Sequence, residues 1–369
     1  MCKHPWRAAG RVVARGMGRF DSSPFLQTLL TLVIAGLGAG LGKGLGLPAY
    51  LITGPAIAVT IGGLSGLNLD VHAGLRNVVF VVIGVGIGST VTQETVAAMA
   101  SWPLAFAMLA LSLTLTMMLS AAALTRIFGL DPRAAVLACA PGHLSFVISL
   151  SAELKVDALF VTVAQSVRLL SLTLVVPVMA RLMGVELSGL PLGGGAAMPW
   201  SAFAMLCAVG TVAGLALARI RVPAALLVGA MLCSSVLHGA GYVHGGLSPV
   251  LAVVSFVTLG GLIGTRFSGV TLGALRRAMG AGLAVTGIGS LVALAATLPV
   301  AALIGLPVTT VLAGFAPGGF ETMIALGAVL GANPGFVAGA HVARLMILTG
   351  LVPWFLARAK RHMETSDEV

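Results

Sequence analysis

"APGHLSFVISL", residues 140–150, and "APGGFETMIAL", residues 316–326, are one phrase written twice. Each copy sets Ala-Pro-Gly inside an apolar run and places polar residues beside the break. These are His143 and Ser145 in the first copy, Glu321 and Thr322 in the second. Proline lacks the N–H that continues a helix and glycine loosens the backbone. Pro141-Gly142 and Pro317-Gly318-Gly319 therefore read as the tips of helical hairpins. The arms around Pro141, about 7 and 11 residues, reach roughly 10 and 16 Å at helical rise, which is mid-membrane depth.

The surrounding composition calls for a membrane. Hydrophobic residues make up 58% of the chain and charged residues 9%, with a mean hydropathy of +1.07. A soluble domain carries about 25% charged residues. Apolar segments of roughly 17 residues or more recur, each long enough for ~30 Å of hydrocarbon. The 49 glycines suit close helix contacts in lipid. The net charge of +10 sits in short loops and tails, so it reads as an orientation signal and not as a nucleic-acid surface.

The repeat extends beyond the two breaks. Sliding the chain so that Pro141 meets Pro317 also brings Gly129-Leu130 onto Gly305-Leu306, Asp157 onto Asn333, Arg168 onto Arg344, Pro177 onto Pro353 and Gly88 onto Gly264. A slide one place shorter brings Pro48 onto Pro223 and Gly54 onto Gly229. The expected organisation is a basic tail (1–23), a first membrane repeat (24–183), a Gly/Pro-rich linker (184–199), a second repeat (200–357) and a short tail (358–369). Apolar segments lie near 25–42, 48–66, 77–93, 103–125, 134–152 and 158–180. They recur near 201–218, 223–240, 249–265, 279–303, 310–330 and 336–356.

If the broken segments cross the membrane, each half has six spans. If they turn back, each half has five and the repeats are inverted. The basic residues decide between these. Arg168 and Arg344 lie inside segments and are set aside. With six spans, Lys43, Lys155, Arg219, Arg221, Arg266, Arg276 and Arg277 fall outside; with five, only Lys43 and Arg181 do. The positive-inside rule favours the second. The expected fold is thus all-α and polytopic, with two inverted-topology repeats. It has ten transmembrane helices, two re-entrant hairpins and both termini in the cytoplasm. Paired broken helices in inverted repeats mark a transporter's midplane site.

Arg168 and Arg344 each sit mid-segment, where an arginine costs at least about 2.5 kcal/mol and must face the protein interior. Gln165 and His341 precede them by one helical turn, giving a Gln/Arg face and a His/Arg face. Two readings stay open and do not exclude each other. Each arginine caps the free carbonyls of the neighbouring broken helix, or the two bracket an anion with help from half-helix N-termini. Glu321 breaks the symmetry, since its mate is Ser145. It carries a proton, helps bind a cation, or partners Arg344. His143 beside the first tip reads as a neutral, hydrogen-bonded histidine. The candidate substrate-binding set is Pro141, Gly142, His143, Ser145, Gln165, Arg168, Pro317, Gly318, Gly319, Glu321, Thr322, His341 and Arg344.

Other chemistries find no support. Cys2, Cys139, Cys207 and Cys233 are scattered, with no CxxC pair, and His72, His238 and His244 read as loop residues without ligand spacing. No HExxH, P-loop or dinucleotide fingerprint appears. No catalytic group, metal or cofactor is expected.

The duplicated element, followed by a Gln/His-x-x-Arg helix, resembles the AbrB family of Gram-negative membrane proteins, which carry a duplicated domain. "LDPRAAVLACAPGHLSFVISLSAELKVDALFVTVAQSVRLL" (130–170) is similar to the family's first copy, and "APGGFETMIALGAVLGANPGFVAGAHVARLM" (316–346) to its second. The first copy departs from the usual Gly-Gly with His143, and Ser145 lacks the acid that often follows. Family members carry labels such as regulator of gene expression and ammonia monooxygenase. The resemblance and the residues together lead to the expectation of an inner-membrane permease for a small anionic solute. The runner-up is a membrane-embedded regulator that senses a ligand or acts through a metabolite pool. Expected partners are the lipid bilayer and the solute, with a coupled H+ or Na+. Nucleic acid is not expected, and the sequence leaves a homo-oligomer open.

Overall fold

The computed structural model describes residues 23–90, 102–142, 144–184, 196–220, 222 and 224–367, with the backbone alone at 144–146, 149 and 360–367. The basic tail up to residue 22, most of the linker, His143 and the Ser145 side chain lie outside the described residues. The described chain is helical, apart from one isolated bridge between Ala197 and Gly246.

The first half contains α1 (Pro24–Gly44), α2 (Tyr50–Leu64), α3 (Ala73–Gly88), α4 (Trp102–Arg126), α5 (Pro132–Cys139), α6 (Leu144–Glu153) and α7 (Ala158–Leu182). The second contains α8 (Trp200–Arg219), α9 (Ala225–Gly239), α10 (Pro249–Gly264) with a 3-10 turn to Phe267, α11 (Leu272–Ile304), α12 (Val308–Phe315), α13 (Phe320–Val329) and α14 (Pro334–Asp367). Seven of these are long and apolar enough to cross a membrane: α1, α4, α7, α8, α10 with its turn, α11 and α14. The protein is an all-α, multi-pass membrane protein. α14 continues as helix to Asp367, through the stretch expected to be a separate tail.

The breaks fall where local chemistry puts them. Asp131 caps α5, accepting from the Arg133 and Ala134 N–H groups, and Pro132 occupies the first turn, where its missing N–H costs nothing. Burial pushes the Asp131 carboxyl up. The hydrogen bonds from the Arg133 side chain and from the two N–H groups, with the Arg133 charge, outweigh this and hold it below the usual carboxylate range. Its contribution is therefore present at neutral pH and fades as pH falls through the lowered value. Asp131→Ala is expected to cost about 1 kcal/mol of stability at neutral pH, measurable by denaturation in detergent. α5 ends because Ala140 precedes a proline and is pushed to extended backbone, with ψ 116°; Ala316 does the same before Pro317, with ψ 126°. Gly142 then turns the chain at φ +112°, a conformation open to glycine.

Both broken segments turn back. Gln165 bonds Leu137 and Arg168 bonds Ala140, so α5 and α7 run in the same direction. Only residues 154–157 join α6 to α7, a reach of at most about 17 Å. α6 must therefore return to the level where α5 began. In the second half, Asn333 N–H donates to Thr310 Oγ1 at the base, and Arg344 bonds Ala316 at the tip. Gly327 of α13 lies against Ala313 of α12, closing the second hairpin.

Loops collect at two ends. At one end Ser268 Oγ donates to Leu67 O and accepts from Leu69 N–H, His72 N–H donates to Thr28 Oγ1, and Phe128 packs on Gly280. At the other Arg181 donates to Gly46 O, residues 196–198 pair with Gly246, and Trp102 meets Phe336 edge-on. Among the described basic residues outside the buried pair, Lys43 and Arg181 belong to the second end, and the remainder to the first. His238 closes α9 instead of lying in a loop, and its ring bonds Ser234 and Gly245 carbonyls.

Small residues let the helices approach. Gly38 of α1 meets Gly54 of α2, and Gly214 of α8 meets Gly229 of α9. Gly84 and Gly88 seat α3 on α9, and Gly260 and Gly264 seat α10 on α2.

Candidate functional site

The two hairpin tips meet at the centre of the molecule. Gly142 of the first tip lies against α14, where a Cβ would stand 3.3 Å from both Arg344 Nη2 and Leu345 Cδ2. Gly319 of the second tip lies against Leu169 of α7 at 3.3 Å by the same measure. Pro317 rests on Gly289 of α11, with Thr116 of α4 alongside. Each tip thus touches the long helix of the opposite half.

Each arginine reaches into its own half's break. Arg168 Nη1 donates to Ala140 O at 3.1 Å and, longer, to Cys139 O at 3.5 Å. Gln165 Nε2 donates to Leu137 O at 2.9 Å, so the Gln/Arg face caps the end of α5. Arg344 Nη1 donates to Ala316 O at 3.1 Å and its Nη2 to Gly318 O at 2.8 Å. His341 Nδ1 donates to Val337 O at 2.9 Å, and its ring meets Phe320 edge-on at 6.2 Å. The glutamine and arginine bonds satisfy carbonyls left free at the broken helix ends, while the His341 bond lies within α14.

The caps do not balance the charge. A helix C-terminus supplies roughly half a negative charge against a full guanidinium charge. Arg168 is 1% exposed and Arg344 0%, and the two lie within each other's electrostatic reach. Among the described residues the ion pair within 4 Å is Arg133–Asp131, at the surface. Glu321, half-buried in the first turn of α13, makes no ion pair with Arg344. It feels the charge of the exposed Arg266 instead. A buried charge costs several kcal/mol unless matched.

Several donors are left over. Among the described residues, Arg168 Nε and Nη2 and Arg344 Nε are buried donors without a hydrogen-bond partner, and His341 Nε2, the acceptor nitrogen of a ring whose Nδ1 donates, is buried without one as well. α13 begins at the second tip with no side-chain cap at Gly319, adding the positive end of a helix. Of the expected set, the structure brings together Pro141, Gly142, Gln165, Arg168, Pro317, Gly318, Gly319, His341 and Arg344. Thr322 stands beside Gly319, and Glu321 makes no ion pair with either buried arginine. Sequence reasoning missed Gly289, Thr116, Phe320 and Leu169, which wall the tips. No motif marks them, because their role is packing against a neighbour distant in sequence.

Among the described residues no group of His, Cys, Asp or Glu is placed to hold a metal. A cavity of about 470 Å³ lies on the flank of α1, lined by Pro24, Phe25, Thr28, Leu29, Leu32, His72 and Leu75. Its lining is apolar and remote from both breaks, as expected of a surface facing lipid.

No curated protein matches the chain. A protein-family comparison matches residues 51–360 to the family described as "Transition state regulatory protein AbrB". That span holds both hairpins, both buried arginines and, among the described helices, α3 to α13 whole with most of α2 and α14. The chain therefore belongs to the AbrB family.

Proposed function

We propose that the protein is an inner-membrane permease for a small anionic solute, bound where the two hairpin tips meet. The carrying observation is the pair of buried arginines whose caps leave unpartnered donors and uncompensated positive charge. A solute anion supplies the missing negative charge, and the N-terminus of α13 adds to the attraction. Backbone broken at this depth is tolerated where it is buried in protein or lines a solute path.

The topology that goes with this reading has ten crossings. To the seven long helices it adds α2, α3 and α9, of 15, 16 and 15 residues. These are short, but they pack among other helices and need not meet lipid along their whole length. Helix lengths recur in order across the halves, with 15, 16, 8 and 10 residues for the second, third, fifth and sixth helices of each. This supports an inverted repeat whose hairpins enter from opposite faces. The basic end is cytoplasmic by the positive-inside rule, which places both termini there.

The test is uptake by proteoliposomes of labelled acetate, succinate, sulfate and phosphate, each assayed with wild type and with Arg168→Ala. The expected result is saturable uptake of at least one anion, reduced by at least about tenfold in the variant, as loss of a charged hydrogen bond implies. Normal uptake by a folded Arg168→Ala protein would put the site elsewhere. A regulatory effect of the kind named in the family description follows indirectly, through the pool of a transported metabolite. Deleting residues 1–23 and 358–369 separates this from direct signalling: a permease keeps its uptake, while a signalling protein loses its output.

A further inference from the structure

The two arginines are related by the repeat but are not equivalent. A guanidinium offers a carboxylate its side-on edge, Nε and Nη2, as a planar two-donor fork. On Arg344 that edge is taken. Nη2 donates to Gly318 O, and Gly142 of the opposite tip packs over both atoms, its Cβ position 3.3 Å from Nη2 and 3.6 Å from Nε. On Arg168 the edge has no partner among the described residues. Only Nη1 bonds the tip, and Nε and Nη2 both lack a partner although the residue is 1% exposed. The glycine that the repeat places opposite is Gly318, and its Cβ direction meets Met323, not Arg168.

We infer that Arg168 is the receptor for a carboxylate group of the solute, held side-on by Nε and Nη2, while Arg344 locks the two tips together. This rests on the anion-permease reading and names its substrate class. A carboxylate is the planar anion whose two oxygens match the two parallel donors. Chloride cannot use both; sulfate can, but its two further charged oxygens then find no free donor on Arg168. The edge is sealed from solvent in this conformation, so the carboxylate enters when a tip moves and is enclosed when it returns.

The experiment is ligand binding to the detergent-purified full-length protein, read by thermal melting and calorimetry. The probes are acetate, propionate, succinate, chloride, sulfate and the neutral isostere propionamide. A ligand that binds only the folded state raises its melting temperature. Wild type is expected to bind at least one carboxylate about tenfold more tightly than sulfate or chloride, with no effect of propionamide, from the charge-assisted fork. Arg168→Lys keeps the charge but loses the fork, and is expected to weaken that carboxylate about 10- to 100-fold. Undiminished carboxylate affinity in Arg168→Lys overturns the assignment. Sulfate or chloride binding as well as any carboxylate overturns the fork and leaves the anion reading standing. This ligand comparison needs wild type alone, so it decides even where the variant fails to fold. Absence of binding by every anion overturns the permease reading as well.

Discussion

Arg344→Ala is expected to destabilise the protein by roughly 3 kcal/mol, from the loss of two charge-assisted hydrogen bonds. The side chain holds Ala316 O and Gly318 O at 3.1 and 2.8 Å, and Gly142 packs against the same guanidinium. Its removal leaves two buried carbonyls without partners and a void where the tips meet. Relief of the buried charge offsets part of the loss. Arg168→Ala removes one good bond and one at 3.5 Å, and is expected to cost about half as much. Denaturation in detergent, followed by helical signal, measures both. Equal losses would mean that the tips are not joined through Arg344. Arg344→Lys carries one ammonium instead of a fork and is expected to recover only part of the stability, because a point charge cannot span both carbonyls.

The second large effect lies far from the site. Gly54→Ala is expected to destabilise by about 3 kcal/mol, the upper range for overpacking a tight contact. A Cβ there runs into the carbonyl oxygen of Gly38, a backbone atom that cannot rotate away, so α1 and α2 have to separate. Gly40→Ala on the same helix α1 is the control. Nothing lies within 4 Å of its Cβ position, so the better helix propensity of alanine leaves stability unchanged or raises it by up to about 1 kcal/mol. Gly229, which meets Gly214 at the matching crossing of the second half, is expected to follow Gly54.

Much of this arrangement can be read from the residues. Pro141 and Pro317 dictate helix breaks by their missing N–H, and the alanines before them are driven to extended backbone. Arg168 and Arg344 are too deep in apolar segments to escape to water, so they must turn inward, and the broken helix ends offer the free carbonyls. What the sequence does not carry is the identity of distant neighbours. Glu321 sits near Arg344 in the sequence of the tip, yet it makes no ion pair with it and interacts electrostatically with Arg266. The difference between Gly142 and Gly318 is likewise invisible. Both are tip glycines in one repeated phrase, and only packing reveals that one covers an arginine edge and the other meets Met323.

The central claim is that two hairpins enter from opposite faces and meet in the middle. Single cysteines at the hairpin bases test it most directly, in a background lacking Cys2, Cys139, Cys207 and Cys233. Glu153→Cys marks the base of the first hairpin and Leu306→Cys the base of the second, and a membrane-impermeant maleimide is applied to right-side-out and inverted vesicles. The account predicts that Leu306→Cys labels in right-side-out vesicles and Glu153→Cys only in inverted ones. Labelling of both positions from the same face would contradict it, and with it the meeting of the two tips across the membrane.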